Sequence, residues 1–376
     1  MISLAKVGGR ETNKVQSDSM PSMRAQVILP VVDLTEEMSF FSGLGFRLMQ
    51  IFPDDSPEVA VMEGHGITIC LDKRVATSPA TLNLLTDDAA LLQRKEHVSP
   101  AGTRLLLQPE SYRVVYPPVP NHFEVRRLLD SDPWVIGRAG MQYRDLLPSR
   151  LDGSIMASHI RIPKGGPVPD VVHYHTIGFQ LIFCYHGWVK LVYEDQGPPF
   201  ILEAGDCVTQ PPEIRHRVLE ASDQLEVIEI GVPAQHMTSI DHDMVLPTDT
   251  FRPDRKFHGQ TFCHHRVAEA QWKTWKMPHF KYRETGVLKA TGNLVSVQVA
   301  QYSGNGQPAA YHHHSNEIQF TFIMNGRLEL HAESQSPHTV KTGEAFVVPR
   351  DVPYKFEKCS ADLELLEVAL TRSPGV

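Results

Sequence analysis

The stretch His173–Gly187, HYHTIGFQLIFCYHG, and the later Gly205–His216, GDCVTQPPEIRH, decide the reading of this chain. His173 and His175 are two residues apart, so on an extended strand both imidazoles leave from the same face and can share one ion. Gln180 follows His175 at an odd spacing, which would put it on the opposite face of an unbroken strand. A reversal is therefore needed around Ile177-Gly178, and the two strands are expected to form a hairpin. His216 lies on a later strand, opened by Gly205 and bent at Pro211-Pro212, from which it could supply a third nitrogen.

Working outward, the pattern occurs twice. Tyr143-Arg144-Asp145 recurs as Tyr282-Arg283-Glu284, Gly153 as Gly292, His173 and His175 as His312 and His314, Gln180 as Gln319, and Gly187 as Gly326. Gly205 and Pro211 recur as Gly343 and Pro349 after a one-residue deletion, which brings Tyr354 to the place of His216. A repeat of this length is the size of an independent domain and too long for a solenoid unit. The spacings HxH(x)4Q(x)6G and G(x)5P(x)4H resemble the two motifs of the cupin barrel, and their duplication resembles a bicupin. The resemblance implies a mainly β chain with two tandem double-stranded β-helix (jelly-roll) barrels. Short, regularly spaced strands rich in β-branched and aromatic residues fit it: Ser154–Ile162, Val171–His175, Phe179–Tyr185, Val189–Tyr193, Phe200–Leu202, Cys207–Gln210, His216–Leu219 and Leu225–Ile230.

Ahead of the barrels, Gln26–Leu34 reads as a strand, Asp33-Leu-Thr-Glu36 as the cap of a helix, and Gly45–Phe52, Glu58–Glu63 and Gly66–Asp72 as three more strands. This α+β order, βαβββ, resembles a module of the glyoxalase/vicinal-oxygen-chelate superfamily. Gln26, Cys70 and Leu106 stand where that superfamily places metal ligands, so the resemblance implies its fold and not its chemistry. A fainter second half would place strands at Ala80–Leu85 and Gly102–Leu107 around a helix at Asp87–Lys95. The expected domains are a disordered lead at 1–23, the glyoxalase-like domain at 24–118 ending in the stiff Pro117–Pro120 linker, a first barrel at 119–235, a connecting segment at 236–257, and a second barrel at 258–376.

Composition narrows the class. The chain has 376 residues, 41% hydrophobic and 21% charged, with a formal net charge of −8 and no Lys/Arg run, which argues against nucleic acid and anionic membranes as partners. The five cysteines are odd in number, spread over positions 70 to 359 and free of CxxC, as expected of a reducing cytoplasm. Residues 1–22 lack the apolar core of a signal peptide, and no apolar run approaches a membrane span. A small-molecule substrate and a homodimer are the expected partners.

Converging imidazoles satisfy one another poorly without a cation. His173, His175, Gln180 and His216 are therefore expected to bind one divalent transition metal in the first barrel. Nitrogen and oxygen donors without thiolate suit Fe(II), Mn, Ni, Cu or Zn and do not choose among them; the resemblance to metal-dependent bicupins implies Fe(II) as the favoured ion. Gln180 stands where the cupin motif usually has Glu, leaving an uncompensated dication suited to anionic oxygen ligands. In the second barrel His312, His314 and Gln319 repeat the set without its last histidine. There a weakly held ion, a Tyr354 phenolate ligand and an empty pocket all stay open. Tyr354 and Glu317 are the candidate catalytic bases. Cys184 is expected to pack as a small hydrophobe, and His186 to lie exposed at a turn. The resemblance implies a dioxygenase acting on a small phenolic, catecholic or β-dicarbonyl substrate; the rivals are a redox-neutral isomerase or lyase, and a non-enzymatic binder.

Overall fold

The computed structural model of the chain describes residues 24–75, 81–93, 97–98, 104–130, 134–304, 306 and 310–371. The lead expected at 1–23 lies outside them. The described chain divides into two compact units, one drawn from residues 24–28 and 81–111 and the other from 29–75 and 112–371. In the smaller unit, strand Thr81–Leu85 pairs antiparallel with the chain from Arg24 and parallel with Arg104–Gln108, and a short helix spans Ala89–Leu92. This unit boundary cuts through the expected glyoxalase-like domain.

The larger unit begins with helix Leu34–Gly43, capped by Asp33, whose side chain accepts from the Glu36 amide at 3.0 Å. Strands Arg47–Phe52, Val59–Gly64 and Ile67–Asp72 follow as an antiparallel meander. With Arg24–Pro30 before the helix, the strand, helix and three-strand order is as read from sequence. The meander is continuous with the first barrel, because Gln50 and Ile51 pair with Ser239 and Thr238 of strand Met237–Ile240.

Two sheets form the first barrel. One carries, in order, Phe200–Glu203, Trp188–Tyr193, His216–Ala221, His173–Thr176 and Met237–Ile240. The other carries Cys263–His265, Cys207–Thr209, Phe179–His186, Leu225–Val232, Met156–Ile162, Gln142–Asp145 and Val135–Ile136. The expected hairpin is thus a corner. His173–Thr176 pairs with His216 and Met237–Ile240, whereas Phe179–His186 pairs with Cys207–Thr209 and Leu225–Val232, so the turn at Ile177-Gly178 passes from one sheet to the other. The second barrel repeats the plan in a seven-stranded sheet containing Ile318–Asn325 and Glu364–Leu370, and a three-stranded one of His338–Lys341, Arg327–Ala332 and Tyr354–Glu357.

Strand alternation sets the core. On Phe179–His186 the odd positions Phe179, Leu181, Phe183 and Tyr185 join Ile318, Phe320, Phe322 and Met324 of the second barrel in one shared cluster. The even positions Gln180 and Cys184 face the first barrel's own interior. The barrels also exchange edges. Glu124–Arg126, expected in the first barrel, pairs with Ala345–Val347, and Cys263–His265, expected in the second, pairs with Cys207–Thr209. The repeated glycines sit at equivalent corners: Gly187 and Gly326 have φ of +74° and +78°, and a Cβ there would meet Ser222 Oγ at 2.3 Å and Ser360 Oγ at 2.4 Å. These two hydroxyls cap the next amides, of Trp188 and Arg327.

Candidate metal centre

His173 and His216 are direct cross-strand partners, and His175 lies one step along the same face. The three rings are buried, with one potential donor atom from each lying within 4.8 Å of the others. Each Nδ1 has an outside partner: His173 donates to the Val171 carbonyl at 2.8 Å, His216 to the Ile214 carbonyl at 2.9 Å, and His175 contacts Thr238 Oγ1 at 2.8 Å. For His173 and His216 the carbonyl acceptor fixes the tautomer and leaves Nε2 as the lone-pair face. Burial lowers the pKa of all three rings, that of His216 to about 4, so they stay neutral and able to ligate at ordinary pH.

Gln180 enters from the facing sheet. Its Nε2 donates to Glu229 Oε1 at 2.5 Å, which fixes the orientation of the amide, and its Oε1 is buried without a hydrogen-bond partner. An acceptor left without a partner lies beside three histidines that together form a candidate group for holding a metal ion. Burial, followed by the field of Asp54, raises the pKa of Glu229 to about 7. The cavity is ≈ 70 Å³ and is lined by these residues, Asp54, Arg138, Tyr143, Gln210 and an apolar wall including Ile160, Val189 and Leu191.

Sequence reasoning missed several groups here. Glu229 was legible in principle, since Glu367 repeats it at the offset of the downstream motif. Arg138 and Asp54 carried no signal, because they precede the repeat. Arg138 donates to His173 Nε2 at 2.9 Å and to Asp54 at 3.0 Å, and also pairs with Asp170. His236 is buried 5.3 Å from the His175 ring, near the Ala234 and Pro233 carbonyls but without a well-aligned hydrogen bond. Cys184 is fully buried in the apolar interior, where burial pushes its thiol up to about 12, and His186 is exposed, both as expected. The repeated tripeptides carry hydrogen bonds from their guanidinium groups: Arg144 donates to His159, and Arg283 reaches His265 and the Gly205 carbonyl of the first barrel's sheet.

The second barrel arranges its copies differently. His312 bridges to Tyr354 as His173 pairs with His216, which confirms the offset. His314 Nε2 is taken by the Val348 carbonyl at 2.9 Å, and Gln319 donates to the Tyr354 hydroxyl at 2.8 Å. Among the described residues no other His, Cys, Asp or Glu joins His312 and His314 in a three-donor cluster. Lys276 is instead paired to Glu367 at 2.7 Å. Tyr354 and Glu317, the candidate catalytic bases, both lie in the second barrel's half of the chain and away from the His173 cavity. Burial raises the Tyr354 pKa, so a phenolate is disfavoured, and Glu317 lies in a surface groove with Arg350 and Asp351. Neither lines the His173 cavity. A further donor group, Glu329, His331 and Glu357, lies on the outer face of the second barrel, where Lys358 and Lys355 already pair with its carboxylates.

Residues 299–369 match the family model described as cupin domain. In solved structures the chain is similar to oxalate decarboxylase from Bacillus subtilis, at 11% identity and a TM-score of 0.50 over 70% of this chain and 78% of that one. It is also similar to the Lactobacillus farciminis oxalate decarboxylase formate complex, at 12% identity and a TM-score of 0.50 over 67% and 86%. The chain has a cupin fold. Salicylate 1,2-dioxygenase from Pseudaminobacter salicylatoxidans matches over 58% of this chain and 71% of its own, at 14% identity and a TM-score of 0.43. No curated protein matches. These identities show the cupin architecture alone. No described helix is long and apolar enough to cross a membrane.

Proposed function

We propose that the first cupin barrel holds one divalent transition metal, with iron favoured, on His173, His175, His216 and the Gln180 amide oxygen, and that the protein is a metal-dependent dioxygenase. The observation that carries this reading is the set of Nδ1-anchored imidazoles around the orphaned Gln180 Oε1. A bound ion would supply Lewis acidity and, if redox-active, the means to use dioxygen. The chain's own residues do the rest. The neutral donor set favours an anionic phenolic, catecholic or β-dicarbonyl oxygen, Tyr143 and the apolar wall exclude water, and Arg138 places a cation beside the cavity.

One observation favours a redox-neutral second reading. Glu229, buried at the site with a raised pKa, is a better general base for isomerase or lyase chemistry than Tyr354 or Glu317. Metal analysis of protein purified without added ions, followed by oxygen uptake with catechols and β-diketones, separates the two. Iron with uptake supports the dioxygenase; zinc or nickel without uptake overturns it. His173→Ala and His216→Ala should lose most bound metal and His312→Ala little, and equal losses would mean that both barrels are loaded. We further infer a cytoplasmic homodimer that acts on a small molecule, and a glyoxalase-like ancestry for the N-terminal module.

A further inference from the structure

Arg138 stands between two acids and the lone-pair face of His173. Its Nη2 donates to His173 Nε2 at 2.9 Å, its Nε donates to Asp54 at 3.0 Å, and its Nη1 pairs with Asp170. The His173 Nδ1 is already committed to the Val171 carbonyl, so Nε2 is the atom an ion would use, and one lone pair cannot serve a guanidinium and an ion together. We propose that Arg138 is a gate on the first barrel's metal site, latched by Asp54 of the N-terminal meander, so that ion entry requires the guanidinium to leave His173. This inference rests on the metal reading of that cavity.

The latch is placed by the fold. Asp54 follows strand Arg47–Phe52, whose Ile51 pairs with Thr238, and Thr238 in turn pairs with His175 and contacts its Nδ1. The meander therefore reaches both histidines of the HxH pair, one through Thr238 and the other through Asp54 and Arg138. Asp54 and Asp170 are both buried, so the guanidinium is held by charge-assisted bonds away from bulk water. The fork is what allows one side chain to bridge Asp54, Asp170 and His173, and no ammonium could reproduce it. The second barrel lacks the device: Lys276 there is paired to Glu367. The neighbouring Asp55 makes a separate ion pair, with Arg150, and so provides a matched control for loss of charge in the same loop.

The test uses the full chain stripped with a chelator and loaded with Co(II), read by its visible absorption bands in equilibrium titration and by stopped-flow uptake. Loss of a hydrogen bond to a charged group should tighten and accelerate loading about tenfold in Arg138→Gln. Because removing a positive charge would also tighten binding, Arg138→Lys is the discriminating variant: it keeps the charge, loses the fork, and should still load faster. Asp54→Asn should accelerate uptake although it removes a negative charge that attracts the ion, while Asp55→Asn should load at the wild-type rate. If Arg138→Lys and Asp54→Asn load no faster than wild type, the gate is refuted; should the Arg138 variants not fold, Asp54→Asn decides alone. A wild-type chain that takes up no Co(II), or whose uptake is unchanged by His216→Ala, refutes instead the metal reading beneath it.

Discussion

At the scale of single residues, the Gln180 amide decides how an ion and its ligands would share the cavity. Gln180→Glu keeps the shape but turns the donor facing Glu229 Oε1 at 2.5 Å into a second acceptor. Two carboxylates at that distance must share a proton, and the raised pKa of Glu229 makes it the partner that holds it. The variant should therefore retain its metal while bringing a negative charge up to the ion. One unit charge at 4 Å is worth at most about 4 kcal/mol at an effective dielectric of about 20. We expect binding of 4-nitrocatechol, a chromophoric catecholate, to weaken at least tenfold with metal content unchanged. Metal retained together with undiminished catecholate affinity would place Gln180 outside the ion's contacts. This scale also shows what a sequence discloses. His173, His175, Gln180 and His216 were legible because strand parity and duplication constrain them. Asp54, Arg138 and Thr238 were not, since each reaches the site through strand pairing or a long side chain from parts of the chain that carry no repeat.

At the scale of elements, the eight strands expected in the first barrel were read to within about two residues, while Val135–Ile136, Gln142–Asp145 and Met237–Ile240 were not read as strands. The pairing was less legible: the corner at Ile177-Gly178 and a hairpin have the same local signature and differ only in which strands lie alongside. The connecting segment at 236–257 looked irregular for want of periodicity, yet it opens with strand Met237–Ile240 and is then tied down by carboxylates, of which Asp195 gathers the most partners. Buried Asp195 accepts from the hydroxyls of Thr248 and Thr250 and pairs with Arg252 and Arg255. Burial alone would raise its pKa, but these hydrogen bonds together outweigh burial and lower it to about 2. The folded state thus holds this proton less tightly than the unfolded chain. The stabilisation is present above the unfolded value of 3.8 and is lost as pH falls through about 2. After allowance for solvent screening it amounts to about 1–2 kcal/mol. Asp195→Asn should lower the melting temperature at pH 7 and lose the difference from wild type between about pH 4 and pH 2. A constant difference across that range would show that packing, not charge, ties the segment.

At the scale of the molecule, the two cupin barrels are expected to behave as one folding unit despite their origin as a repeat. Phe179, Leu181, Phe183 and Ile230 of the first barrel share a continuous core with Phe320, Phe322, Leu366 and Val368 of the second. Each barrel also completes its sheet with a strand from across the expected boundary: Glu124–Arg126 lies on Ala345–Val347, and Cys263–His265 on Cys207–Thr209. A fragment beginning at 258 would carry away the strand that edges the first barrel, while leaving its own Ala345–Val347 edge unpaired and an aromatic face uncovered. Exposed edges and large apolar patches of this kind promote association. We therefore expect residues 258–376, produced alone, to aggregate or to lack a cooperative melt. The intact chain should lose near-ultraviolet and far-ultraviolet circular dichroism in one coincident transition. Phe322→Ala removes a buried ring from the shared core and should cost about 3–5 kcal/mol. Because that core serves both barrels, the loss should move the whole transition to lower temperature, and with it the release of metal from the first barrel, although Phe322 belongs to the second. A melt that splits in two on Phe322→Ala, with metal release staying at the wild-type temperature, would show that the barrels fold independently and that the exchanged strands contribute little.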